Sequence, residues 1–173
     1  MKHLENSDNL VVLTRLQGLM PPDREPIKGD VPAVVLDVET TGLNSDKNEI
    51  IQIAVRPFFV NPETGEISGI KKCIEFLQQP KHPLPNEIRD ITGFSDEDLA
   101  GHEIDWKKVS KILNSCQFII AHNASFDREW IDKNLKMNGY QPPPDVIWCC
   151  SLSQVNWNNI CRPSKALEVL CAW

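Results

Sequence analysis

Short apolar runs alternate with segments of helical period along this chain, and their order points to a fold class. Ala33 to Leu36 set four apolar residues in a row ahead of Asp37, without the alternation of a half-exposed strand, as expected of a strand covered on both faces. Ile50 to Val60 and Ile67 to Leu77 read as second and third strands, with Asn44 to Asn48 a polar turn and Asn61-Pro62-Glu63-Thr64-Gly65 a hairpin turn. Such short connections predict an antiparallel meander. Gln78 to Pro85, with three prolines, reads as loop. Asn86 to Thr92 and Ser95 to Leu99 read as short helices, the second capped by Ser95 with three acids in its first turn. Ile104 to Leu113 has helical spacing, and Cys116 to Ala121 is a further apolar strand. A helix then runs to about Met137 with Phe126, Trp130, Ile131 and Leu135 inward, stopped by Gly139 and Pro142 to Pro144. Val146 to Trp148 reads as a short last strand and Ser164 to Trp173 as the start of another helix. Strands first, then helix–strand–helix–strand, predict an α/β fold: a mixed sheet, meander plus parallel strands, with helices on both faces.

Residues 1–30 read as an N-terminal arm and proline-rich connector, in which residues 4–20 suit either an amphipathic helix or a strand at Leu10 to Thr14. The folded domain is expected over residues 31–173. Hydrophobic content of 41% and charged content of 24% are those of an ordinary globular protein, and the net charge of −6 argues against a broad, non-specific nucleic-acid surface. A nucleic-acid enzyme whose acids hold metal ions remains compatible with that charge. Six cysteines without a C-x-x-C pair, and no secretory signal, suggest reduced thiols in a cytoplasmic protein, several of them buried. No apolar run reaches the length of a membrane span, so no membrane partner is expected.

Chemistry enters at Asp37-Val38-Glu39. Side chains of a strand alternate, so both acids share a face. Burial and mutual repulsion both oppose two carboxylates there, and a divalent cation is the simplest compensation. Asp127, at the start of a helix that follows a buried strand, can reach the same strand end. Each feature alone has a plainer explanation: a solvated strand end for Asp37 and Glu39, a favourable helix-dipole contact for Asp127, turn formation for Thr40 and Thr41, and capping for His122 and Asn123.

Taken together, Asp37-Val38-Glu39-Thr40-Thr41-Gly42 and Ala121-His122-Asn123-Ala124-Ser125-Phe126-Asp127 resemble the first two motifs of the DEDD exonuclease superfamily. The likeness is greatest to 3′–5′ exonucleases similar to the epsilon proofreading subunit of bacterial DNA polymerase III. Glu49 to Ala54, Ile91 to Leu99, Trp148 to Ser151 and Asn156-Trp157 also resemble that family. The resemblance implies a ribonuclease H-like fold and hydrolysis of phosphodiester bonds at the 3′ end of single-stranded DNA, with two Mg²⁺ or Mn²⁺ ions, releasing 5′-mononucleotides. It implies Asp37, Glu39 and Asp127 as metal-binding catalytic acids. Thr40, Thr41 and Leu43 would seat the terminal nucleotide, with Asn123 and Phe126 lining the groove. A DNA polymerase is the partner it suggests.

The family's third motif, a histidine followed five residues later by an aspartate, does not follow Ser164 to Trp173. The sequence therefore reads as truncated before the last catalytic helix, and the chain as inactive or severely impaired. Two rival readings are an exoribonuclease of the same superfamily and a non-catalytic nuclease-like module that binds nucleic acid or a polymerase.

Overall fold

A computed structural model describes residues 24–157 and Ala166. The expected amphipathic segment at 4–20 and helix at 164–173 lie outside the described residues, Ala166 apart. One mixed sheet holds β1 (Val31–Thr40), β2 (Ile50–Val60), β3 (Ile67–Ser68), β4 (Ile74–Leu77), β5 (Phe118–Ala121) and β6 (Ile147–Cys150). The helices are α1 (Asn86–Thr92), α2 (Asp96–Leu99), α3 (Trp106–Asn114) and α4 (Ala124–Met137). The sheet order is β3-β2-β1-β5-β6, with β4 also paired to β2. β1 runs antiparallel to β2 and parallel to β5, and β5 parallel to β6. The predicted meander and the parallel additions are both present.

Three expectations are corrected. The third strand is not continuous over Ile67 to Leu77. It breaks between Ser68 and Ile74, because Gly69 has φ +55° with Pro26 and Phe59 crowding its α-carbon, a conformation that leaves the extended ladder. Among the described residues β1 is covered unevenly: Val34, Leu36 and Val38 are buried on one face, while on the other Ala33 is buried and Val35 is 47% exposed. Finally, among the described helices, α3 and α4 lie on the same face. Val109 and Leu113 of α3 and Trp130, Ile131 and Leu135 of α4 form one core with Val34, Leu36, Val38, Ile53, Val55 and Ile119. The register Val35↔Ile120↔Cys149 puts those residues on the opposite face. Ile51, Leu84 and Leu99 make a second, smaller core beneath α2.

The local stops behave as their residues dictate. Ser95 and Asp98 form a reciprocal capping box on α2. Asn61 accepts from the backbone N–H groups of Glu63 and Thr64 to close the β2–β3 turn. The four described cysteines, Cys73, Cys116, Cys149 and Cys150, are free thiols. None of these four is fully buried: Cys149 and Cys150 lie on the edge strand β6, and Cys73 lies in the break between β3 and β4. Among the described residues no helix is long and apolar enough to cross a membrane.

Candidate active site

The C-terminal end of β1 carries the site. The parallel ladder with β5 ends at Val35↔Ile120, so β1 continues alone along that edge and the Val38 N–H has no strand partner there. Asp127, in the first turn of α4, supplies one: its Oδ1 accepts from Val38 N at 3.2 Å. Asp127 is 2% exposed. α4 can present it there because Ala124, Trp130, Ile131 and Leu135 anchor the helix in the core.

Asp37 and Glu39 follow on the other face of β1, as their spacing requires. Asp37 keeps surface on the open face, yet partial loss of hydration raises its pKa, an effect opposed by the nearby His122. Glu39 is half-buried, and its pKa is raised first by burial and then by the charge of Asp37. Asp127 is pushed up to about 7, by burial and then by Asp37, against the N–H bonds from its own backbone and from Val38. Asp37 thus acts on both other acids, and the three share one field. Among the described residues no group of three or more His, Cys, Asp or Glu side chains is arranged to hold a metal. The carboxylates are electrostatic neighbours rather than a formed coordination sphere. Their oxygen-only donor set and mutual repulsion nevertheless suit a hard divalent cation.

The remaining predicted residues divide. Thr40 is buried and its hydroxyl donates to Gly42 O at 2.8 Å. Thr41 Oγ1 accepts from Glu49 N at 3.0 Å, and Thr41 N donates to Glu49 O at 2.9 Å. Both hydroxyls therefore close the turn after β1. Leu43 is 86% exposed on the loop beyond. Asn123 is exposed, with φ 69° and ψ 47°, the one non-glycine residue in the left-handed region among the described residues. That conformation swings the chain from β5 into α4. The Phe126 ring packs on Trp130, centroids 6.0 Å apart, and is half-buried against the core.

Sequence reasoning gave His122 only a capping role, and Ser151 and Cys150 none of their own, among the residues that brace these groups. His122 Nδ1 lies 2.9 Å from Ser151 Oγ, which also donates to Ala121 O at 3.4 Å. Burial alone would raise the Cys150 thiol, but the Ser153 hydroxyl and the N–H groups of Ser153, Ala124 and Leu152 hold it lower, at about 7, where its charge acts on Asp127. None of these pairings has a local sequence signal, since the partners meet only once β5 and β6 are side by side.

A family model described as exonuclease matches residues 34–172. The PolC-type DNA polymerase III of Streptococcus mutans is 31% identical over 142 residues, 76% of this chain and 9% of that protein. The PolC-type enzyme of Streptococcus agalactiae is 37% identical over 120 residues, 66% of this chain and 8% of that protein. The chain therefore spans less than a tenth of these relatives' length. Among solved structures, an exonuclease I–SSB-Ct complex matches with a TM-score of 0.59 at 19% identity, over 81% of this chain and 35% of that one. A zinc-bound E. coli exonuclease I complex with single-stranded DNA matches with a TM-score of 0.56 at 19% identity, over 70% of this chain and 28% of that one. With the mixed sheet, this likeness makes the fold ribonuclease H-like.

Proposed function

The chain belongs to the RNase T-type exonucleases of the DEDD superfamily, and from that premise we propose that it is a metal-dependent 3′–5′ exonuclease acting on single-stranded DNA ends. One observation carries the reading: Asp127, buried and pushed up to about 7, shares its field with Asp37 at the open end of β1. A side chain serving structure alone would be better as Asn, which keeps the bond to Val38 N without the buried charge. Asp37, Glu39 and Asp127 would hold Mg²⁺ or Mn²⁺, which when bound supplies the positive charge that an extra-negative phosphodiester transition state needs. Within the chain, Asp127 ties α4 to β1 and sets the spacing of the acids. Leu43 offers an apolar surface to the terminal base, and the Thr40–Gly42 and Thr41–Glu49 bonds hold it in place. The complex of exonuclease I with single-stranded DNA supports the substrate class, and the PolC-type DNA polymerase III relatives suggest association with a DNA polymerase.

The test uses a 5′-labelled single-stranded oligonucleotide with enzyme in excess. Stepwise shortening in Mn²⁺, stopped by EDTA and by Asp37→Ala, is expected; release of the label as a mononucleotide would reverse the polarity, and no shortening at all would sink the reading. A matched RNA oligonucleotide in the same assay separates DNA from RNA preference.

A further inference from the structure

The loop between β1 and β2 is folded on itself. Asn44 Oδ1 accepts from Asp46 N at 2.8 Å, Asn44 O accepts from Lys47 N and Asn48 N at 3.0 and 2.9 Å, and Thr41 pairs with Glu49 at its base. Those bonds set the loop's shape but not its direction relative to the acids. Two side chains of α4 set the direction. Lys133 Nζ donates to Ser45 O and, at 2.7 Å, to Asp46 Oδ1. One turn earlier, Glu129 Oε1 accepts from Ser45 Oγ at 2.5 Å. The Lys133 side chain is 29% exposed, although the Asp46 side chain it meets is 85% exposed. A solvated surface ion pair would leave the lysine more open, whereas here the ammonium is folded down onto a backbone carbonyl as well.

The same helix that carries Asp127 therefore grips the loop that carries Leu43. We infer that Lys133, assisted by Glu129, is a positioning residue that aligns the exposed Leu43 platform with the acids of β1 and α4, and so sets how tightly the 3′-terminal nucleotide is seated. This rests on the exonuclease reading. Lys133 touches no reacting atom, so its effect should fall on substrate binding rather than on the chemical step.

The experiment compares Lys133→Met, which keeps the stem and removes the charge, with Leu43→Ala, the double variant and Lys133→Arg. Steady-state rates on a single-stranded oligonucleotide in Mn²⁺ give kcat and KM. Anisotropy with the same oligonucleotide in Ca²⁺ gives binding without turnover. Each single variant should raise KM and Kd about tenfold with kcat within about twofold, and the double variant should be no worse than the weaker-binding single one, because coupled residues do not add. Lys133→Arg, which retains donors for both partners, should recover most of the affinity. Multiplying effects, an unchanged KM, or a fall in kcat alone would overturn the inference, even if Lys133→Met lowers the melting temperature. If the wild-type chain neither cleaves nor binds, the exonuclease reading fails and takes this inference with it.

Discussion

Gly42 is the tightest residue of the turn that follows the acids. A Cβ there would meet Asn48 Oδ1 at 2.7 Å and Asn48 Cγ at 2.8 Å, and Asn48 is itself held by Asn44 O through its amide, at 3.1 Å. Gly42→Ala must push that amide aside and break its bond to Asn44 O, a loss of about 0.5–1.5 kcal/mol. Urea unfolding should show that loss, and the Gly42→Ala/Asn48→Ala double variant should be less destabilised than the sum of the two singles; strict additivity would show that the contact is not the cause. At this scale much of the site was legible, because two-residue spacing on a strand fixes a common face for Asp37 and Glu39 whatever the tertiary structure. The roles of Thr40 and Thr41 were not. Whether a threonine hydroxyl faces substrate or closes a turn depends on the strand register opposite, here Glu49 returning against Thr41, and the threonine itself carries no sign of that.

Among elements, α4 joins the candidate site to the core. Leu135, fully buried two turns beyond Asp127, anchors its far half, and Leu135→Ala should cost about 2–5 kcal/mol. A lowered denaturation midpoint with an unchanged m-value would show that the core, not the compactness of the unfolded state, is responsible. The connector before β1 is fastened differently. The Asp30 side chain has no exposed surface and accepts from Arg24 Nη1 at 2.8 Å, Ser68 Oγ at 2.7 Å and Ile27 N at 3.1 Å. These partners, Arg24 first, hold its carboxyl well below the usual carboxylate range. A depressed acid stabilises the fold above its unfolded pKa of about 3.9, and that contribution is lost as pH falls further towards the folded value. Asp30→Asn should therefore be less stable than wild type at pH 6, with the gap narrowing at pH 3; a constant gap would assign the effect to packing. Helices and most strands were legible from period and caps, since α2 and α4 start and stop where Ser95, Gly139 and the prolines dictate. The break at Gly69 was not, because it arises from Pro26 of the connector packing against a strand forty residues away in sequence.

The whole molecule sets how such a chain could hold a polyanion at all. It carries 24 acids against 18 lysines and arginines, and several of the cations are already engaged: Arg24 with Asp30, Lys81 with Glu49, Arg89 with Asp96, Arg128 with Asp132 and Lys133 with Asp46. The resulting net charge of −6 disfavours a binding mode built on many phosphate contacts. On the proposed reading the binding is local: three acids suited to a divalent cation, an exposed Leu43 on the loop after β1, and that loop held by α4. Affinity for single-stranded DNA should then depend steeply on Mn²⁺ and weakly on monovalent salt. Counterion release lowers log K against log[salt] with a slope of about −0.7 per phosphate contact on a single strand, so one or two contacts predict a slope shallower than about −1.5. Anisotropy titrations from 50 to 300 mM KCl, at fixed Mn²⁺ and then in EDTA, measure both dependences. A slope of about −4 or steeper, with binding surviving EDTA, would place the interface on a basic surface away from β1 and reassign the acids to a structural role.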